Sequence, residues 1–595
     1  MANLLKPRKA SHDVGFEGFD LSHSEYFTSS VGHILPIHYD VLLPNDKISI
    51  RTLMLSRMNP MLSSSPLHMR EHVDYYFVPL ETICNYLPSL LSDTNEDLSS
   101  TRLNVTGYKI DRIPLVKLSD TMNWFWNNLA NYSGKYEFDA AHREIARLVD
   151  MFNLGYHNYL GSDVAQNSFS VNPLLLCAYQ AVWQYFFRDD SRLEFDPWSF
   201  NIDSYFNQEF ITDNSVLTKY FQLNYRAWKK DPYTINSVSP LGGEGSLNHF
   251  GVSDTDKSFS SFVKQWLTDL ENIKSPDVSN PGGFVGASVG RPVNGDSATD
   301  TVFSNRTKEF DDRQSLQQHR IAQAIEKLSA IWMQSGKNYQ EIMANLFGAK
   351  VRPDNSRPMY IGSNYADFAV NEEMNLTSTV DAEGQSLSEA GQLLGRGFAS
   401  NAHDGSGGNI EPQKFTAPCH GILLALFSIV PESSYRSDFV DSVHTYSKRA
   451  DFPNPVTDEL GERPLFGYEI NFAYATPTAQ YGWIPRFHEL KLKANRLHSG
   501  FKTSFAYWMP SRDFDNRYLT SWQSYYIRPD YINSVMVKPY QTSIPLDPDP
   551  EDPSPVEYAR DYDYFENDPF MHFFRIECHK ASKMSSYGVP KTYFG

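Results

Sequence analysis

The chain has 595 residues, a length that admits several domains or one β-rich domain carrying long insertions. A hydrophobic fraction of 41%, with 14% aromatic, is enough to fill a large core and excludes wholesale disorder. A formal charge of −18 excludes a surface that grips nucleic acid everywhere, because phosphate contact needs clustered Lys and Arg; only a local basic patch is left for that role.

Thirty-five Tyr and 39 Phe stand beside 35 Pro and 33 Gly, a mixture of strand formers and turn residues that points to a β-dominated chain with long loops. Residues 1–20 read as a flexible, basic N-terminal arm carrying Lys6, Arg8 and Lys9; no apolar run follows, so no signal peptide is expected. Ile37, Tyr39, Val41 and Leu43 then alternate with His38 and Asp40 and end at the turn Pro44-Asn45-Asp46. Lys47, Ser49 and Arg51 alternate with Ile48 and Ile50 in a second predicted strand. Val73, Tyr75 and Phe77 form a third, stopped by Pro79. Period two buries one face of each strand.

Helical spacing interrupts these strands. Asp139 is placed to cap a helix with the stripe Ile145, Leu148, Val149 and Phe152. Pro173 suits a first helical residue ahead of Leu175, Tyr179, Val182 and Phe186. A third helix carries Ile321, Ile325, Leu328 and Trp332 and ends at Gly336. Asn338 and Glu341 then resemble a capping box, with Tyr339, Ile342, Met343, Leu346 and Phe347 on one face and Gly348 as the stop. Residues 241–312, 381–413 and 545–569, rich in Gly, Ser, Asn, Asp or Pro, read as surface insertions.

Ile422–Val430, the longest apolar run, is too short to cross a bilayer and reads as a buried strand. Strand alternation returns at Tyr468, Ile470, Phe472 and Tyr474 and again at Phe501, Thr503, Phe505 and Tyr507. Strands near both ends, with helices and loops between, predict a sheet closed by long-range pairing, and a double-sheet jelly roll with large insertions meets that description.

The search for chemistry finds incomplete motifs. His488-Glu489 opens a zinc-protease pattern, but Leu492 occupies the second ligand position. Gly395-Arg396-Gly397 opens a dinucleotide fingerprint that fails at Ser400, and Gly336-Lys337-Asn338 lacks the rest of a phosphate loop. No nucleophile elbow is present. A glycosidase pair of carboxylates has no linear signature and is weighed against ordinary surface charge. The acidic run from Asp547 to Asp568 could bind a hard cation, but its prolines break the ligand spacing and a solvated loop is expected. Cys84, Cys177, Cys419 and Cys578 lie far apart and are expected as buried, reduced thiols. No catalytic, cofactor or metal site is therefore assigned, and the chain is not expected to be an enzyme. Lys6, Arg8 and Lys9 are candidate DNA contacts, weighed against a plain flexible terminus.

Seven segments, in order along the chain, resemble the major capsid protein of microviruses (Microviridae), in particular its gokushovirus-like branch. FDLSHSEYFTSSVGHILPIHYDVLLPNDKISI at 19–50 is similar to the family's opening strand and turn, with Asn45 where the family usually has Gly. DYYFVPL at 74–80 resembles its aromatic strand, NPLLLCAYQAVWQYFFRDDSRLE at 172–194 a family helix, and WKKDPYTINSVSP at 228–240 the segment after it. HRIAQAIEKLSAIWMQSGKNYQEIMANLFG at 319–348, RPMYIGS at 357–363 and YGWIPRFHELKLKANRLHSGF at 481–501 complete the set, with Ser363 in place of a second Gly.

The resemblance implies an eight-stranded antiparallel jelly roll over 21–595 with long loop and helical insertions. It implies copies building a T=1 icosahedral shell around circular single-stranded DNA, assembled in the cytoplasm of a bacterial host. Other virion or scaffolding proteins and a host cell-surface receptor are the implied partners, and no membrane insertion is expected. An insertion is expected to project for host attachment, with 84–168 and 241–312 as candidates. Trp124 and Trp126 are possible interface anchors, weighed against core burial. Arg143 and Arg147 are possible contributors to DNA contact. The rival reading is a glycan-binding or glycan-cleaving β-rich surface protein, suggested by the Tyr, Trp, Asn and Asp content; it would require an export signal.

Overall fold

The alternating runs at 37–43, 47–51 and 73–77 are strands in the computed structural model. It describes residues 16–59, 68–86, 112–128, 140–155, 169–237, 357–436, 439–505, 511–512, 525–527 and 568–586, apart from short breaks within several of these ranges. Twelve strands pair antiparallel in the main sheet structure of the described residues: β1 (Glu17–Asp20), β2 (His23–Ser29), β3 (Leu35–Leu42), β4 (Lys47–Leu53), β5 (Leu55–Met58), β6 (Met69–Pro79), β7 (Met359–Met374), β8 (Leu393–Ser400), β9 (Gly408–Asn409), β10 (Gln413–Thr416), β11 (Gly421–Pro431) and β12 (Phe570–Ser582).

They form two layers. One runs β9-β7-β6-β11-β3, and the other runs β10-β4-β12-β5-β8 with β1 and β2 on the opposite edge of β12. The long strand β7 belongs to both, because Met359–Asp367 pairs with β6 while Phe368–Met374 pairs with β8. The expected count was eight strands. It becomes twelve because one run breaks at Met54 into β4 and β5, another breaks at Leu21–Ser22 into β1 and β2, and the short β9 and β10 add edge pieces.

Aromatic side chains fill the space between the layers. Phe27 of β2 meets Phe427 of β11 at 5.2 Å between ring centres, Phe427 meets Phe574 of β12 at 5.3 Å, and Phe368 of β7 meets Phe570 at 5.4 Å. These are edge-on contacts, the geometry that ring quadrupoles favour.

The two outer faces differ. Helices α1 (Leu118–Asn128), α2 (Ala140–Met151), α3 (Leu174–Val182) and α4 (Asn214–Tyr220) lie on the side of the first layer, with α3 against β6 and β11 and α2 against β3. Strand β11 is accordingly buried along its length apart from the half-buried Val430, as the continuous apolar run predicts. The second layer keeps strict alternation. In β12, Phe570, His572, Phe574, Ile576 and Cys578 point inward while Met571, Phe573 and Arg575 face out. Sequence patterning gives no sign of β12, because Met571 and Phe573 place apolar side chains on the outward phase as well.

Several expectations change in three dimensions. Helix α2 buries Ile145, Leu148 and Val149, with Phe152 just beyond it, as its stripe requires, but Asp139 lies outside the described residues. Pro173 directly precedes α3, whose last residues pass into a π-helical turn at Trp183–Phe187; the wider turn rotates Phe186 off the stripe, and it is exposed. Residues 84–168, read as an insertion on the surface, bury Phe125 of α1 and Leu148 of α2, because α2 packs on β3 and α1 packs on α4. Within 381–413, β8, β9 and the first residue of β10 belong to the sandwich, and the acidic segment 545–569 ends in a buried Asp568.

The alternation expected over 468–474 does not begin as a strand, and 472–474 lie outside the described residues. Gly467–Glu469 is a turn of 3-10 helix, and Glu469, on the wet phase of the pattern, is buried beside Ile470 because Arg463 clamps it with two hydrogen bonds of 2.8 and 2.6 Å. Ser499–Lys502 is another such turn where the strand expected at 501–507 would begin, with Ser499 in the left-handed region at φ 53°; 506 and 507 lie outside the described residues. The turn at 44–46 holds as read: Asn45 takes φ 68°, which Asn tolerates almost as Gly does. None of the four cysteines is in a disulfide; Cys84, Cys177 and Cys578 are buried and Cys419 is half-buried. The helices expected at 321–348 and the segment 241–312 lie outside the described residues.

Two polar devices tie the layers and the chain ends together. Arg147 of α2 pairs with Asp568 at 2.7 Å, their side chains only 7% and 5% exposed. Arg147 also donates to the Thr28 carbonyl oxygen at 3.0 Å, while the Thr28 and Ser30 hydroxyls donate to Asp568 at 2.7 and 3.0 Å. In the second device His572 of β12 has ring nitrogens 2.7 and 2.8 Å from the hydroxyls of Ser56 and Ser29. Ser56 in turn donates to Glu71 of β6 at 2.6 Å. Burial pushes the Glu71 carboxyl up to about 8 and the His572 imidazole down to about 3, so both are neutral near pH 7.

Removing one member of the buried ion pair strands the other. Asp568→Ala is expected to cost about 3–5 kcal/mol, and the joint replacement Arg147→Met with Asp568→Leu much less. Urea midpoints of the three proteins check this; equal losses for the single and joint changes would refute it.

The neutral pair also fixes a pH profile. The raised Glu71 contributes stability that is complete below its ordinary value of 4.5 and is lost as pH rises through about 8. The lowered His572 contributes stability that is complete above 6.5 and is lost as pH falls toward about 3. The two slopes cancel between 4.5 and 6.5, where stability peaks, and it declines from 6.5 to 8. Glu71→Gln is expected to flatten that decline, read as thermal midpoints at about pH 6 and about pH 8.

Candidate functional site

Catalysis needs converging groups that a substrate can reach, and three clusters test for it. The first is the Ser29–His572–Ser56–Glu71 chain. Serine, histidine and carboxylate are in hydrogen-bond sequence, as acyl-transfer chemistry requires. All four are buried between the layers, and His572 is stacked on Phe27 at 4.7 Å and enclosed by Phe427 and Phe574. No substrate reaches the hydroxyls, so the chain bonds the layers together.

The second cluster holds two carboxylates, the arrangement that glycoside cleavage uses. Glu469 and Glu489 are each 5% exposed and line a cavity of about 20 Å³ beside Tyr233, Asp441, His488 and Arg496. That space admits a single water and no sugar ring. Glu469 is held by Arg463, and Glu489 accepts from Tyr446 and lies 3.2 Å from His488 Nδ1. His488-Glu489, the start of the broken zinc pattern, sits on the one-turn helix His488–Lys491. No group of three or more His, Cys, Asp or Glu side chains is placed to hold a metal ion among the described residues.

The third is an open groove of about 690 Å³ between β2, β3 and α2. His23 and His38 lie across it with ring centres 5.0 Å apart, and burial pushes His38 down to about 3. Its carboxylates Glu25, Asp40 and Asp150 outnumber Arg147, which is engaged by Asp568. The groove therefore repels phosphate.

The residues singled out from sequence scatter. Lys6, Arg8 and Lys9 lie outside the described residues, as do the side chains of Arg143 and Trp126. Arg147, read as a contributor to DNA contact, is corrected to a buried structural residue facing Asp568. Trp124 is half-buried, packed on the core and in edge contact with Phe125 at 5.8 Å. No described helix is long and apolar enough to cross a membrane.

Comparison with known proteins agrees with a structural rather than a catalytic chain. The model of the family described as "Capsid protein (F protein)" matches residues 150–524. The "Capsid protein VP1" of Chlamydia phage 1 is similar, 20% identical over 564 residues, and the match takes in 84% of this chain and 87% of that protein. Both bear out the resemblance to microvirus major capsid proteins. With the family model covering well over half its length, the chain belongs to the phage capsid protein (F protein) family.

Proposed function

We propose that this capsid protein builds a closed T=1 icosahedral shell from copies of itself around circular single-stranded DNA. The observation that carries the reading is the two-layered antiparallel sandwich in a member of the capsid protein family, its interior sealed by aromatic rings and neutral polar chains. A stiff wedge of this kind holds complementary patches at fixed angles, which closed rotational symmetry demands. Several modest contacts per subunit then suffice, because avidity multiplies them.

The arm expected over 1–20 is shortened, because Glu17–Asp20 is strand β1 paired with β12. In this reading the residues before β1 are an inward arm whose Lys6, Arg8 and Lys9 touch DNA phosphates, and the chain from β1 onward forms a single domain. Of the two segments proposed for host attachment, 241–312 is the stronger, because the helices within 84–168 are committed to the core. Assembly takes place in the cytoplasm of a bacterial host, with other virion or scaffolding proteins as partners. A glycan-binding or glycan-cleaving surface protein is not favoured, since the buried carboxylate pair has no room for a sugar.

Purified full-length protein is expected to form closed particles or ring-sized oligomers by light scattering and electron microscopy. With a net charge of −18 the subunits repel, so particle yield should rise with salt up to physiological ionic strength. A strict monomer that binds carbohydrate would overturn the assignment.

A further inference from the structure

We infer that the outer face of the second layer is an interface that seats an acidic surface of a second copy of this chain; this rests on the capsid reading. The first layer is covered by helices and the second carries its large side chains in the open. Tyr26 is 70% exposed, Phe573 43% and Met571 39%. Register makes them neighbours: Tyr26 lies opposite Phe573 in edge contact at 5.9 Å, and Met571 lies opposite Arg57, which lies opposite Phe398. Half-buried Leu53, Leu55 and Phe398 floor a shallow groove of about 350 Å³ beside them. A contiguous apolar patch on a hydrogen-bonded sheet is costly to leave wet, and its rigid backbone loses little entropy when covered.

Charge selects the occupant. The rim carries Arg57, exposed, and Arg575, whose side chain is 62% exposed and 3.8 Å from Glu577. Arg51 lies further along and is held by Glu577 at 2.6 Å. Tyr, Phe, Met and Arg are the residue types enriched at the buried centre of protein interfaces. A cationic rim on a chain of net charge −18 finds its complement on almost any other face of a second copy. Two copies of the patch facing each other across a twofold axis would set like charges together, so the contact is heterologous, the kind that closes rings.

The outward residues of β12 can be changed without touching the core, because Phe574 and His572 face the other way. Phe573→Asp and, separately, Arg575→Glu are to be made in the full chain and assembled beside the unchanged protein. Both are expected to keep the thermal midpoint of the free subunit and to lower particle yield about tenfold or more. Arg575→Lys should retain most of the yield. Particles from both variants at the unchanged protein's yield would overturn the inference while leaving the capsid reading intact. Normal particles with reduced nucleic-acid content would overturn it too, by showing that this face meets DNA. Should Phe573→Asp fail to fold, Arg575→Glu on the exposed rim decides the matter alone.

Discussion

The sandwich depends on β12 returning from the far end of the chain to lie between β1/β2 and β4/β5. Ile576 is paired with both His23 and Thr52, so one strand near residue 580 holds together two strands from the first tenth of the sequence. Until it arrives, the second layer has no centre and Phe427 of β11 lacks Phe574 to pack on. Closing so long a loop costs little more than closing a shorter one, since the entropy grows only with the logarithm of length. That slow growth is why nearly half of the chain can sit between β6 and β7 without preventing the two from pairing. It also makes the fold rich in distant contacts and therefore slow to form.

The same topology sets the division of labour between the faces. Among the described residues the helices α1 to α4 all emerge from the chain between β6 and β7, and α2 and α3 fall on the first layer. Strand β11 is sealed on both sides and reads as an apolar run, and β6 is sealed on both sides from Val73 onward; β4 and β12 are sealed on one side and alternate. A helical coat on one side and a bare sheet on the other give the subunit a direction.

How much of this was legible follows from the range of each interaction. Strand β4 shows in the sequence because burial imposes a local period, β11 because a strand buried on both faces is an apolar run, and α2 and α3 through their helical stripes. Segment β3 is a strand as read, but its phase is not kept, His38 being 7% exposed and Val41 52%. Even the left-handed Asn45 is readable, since turn chemistry is local. Arg147 was misread because its partner Asp568 is 421 positions away, inside what looks like an acidic, proline-rich loop. Glu469 defeats the pattern in the same manner: Arg463 makes its burial tolerable, and no periodicity encodes a clamp. The outward patch of β12 was hidden because a strand apolar on both faces has no alternation to find. What is missed, then, is pairing and exposed function; what is read is burial.

Two sheets held only by rings could settle at more than one mutual angle. The bonds that cross the gap remove that freedom: Thr52 and Tyr75 share a 2.6 Å hydrogen bond, Tyr75 donates to Asn364 at 2.7 Å, and Asn364 accepts from the Thr52 N–H at 3.0 Å. Asn401 accepts from the Met54 N–H at 2.8 Å and donates to the Thr52 carbonyl oxygen at 2.9 Å, pinning the point where β4 gives way to β5. Each bond requires one register of one strand on another, and a slip of one residue would bury several polar groups without partners. For a lone enzyme such registry tunes a pocket. For a subunit that repeats around symmetry axes an angular error recurs at every contact, so the demand for a single packing angle falls on the core itself.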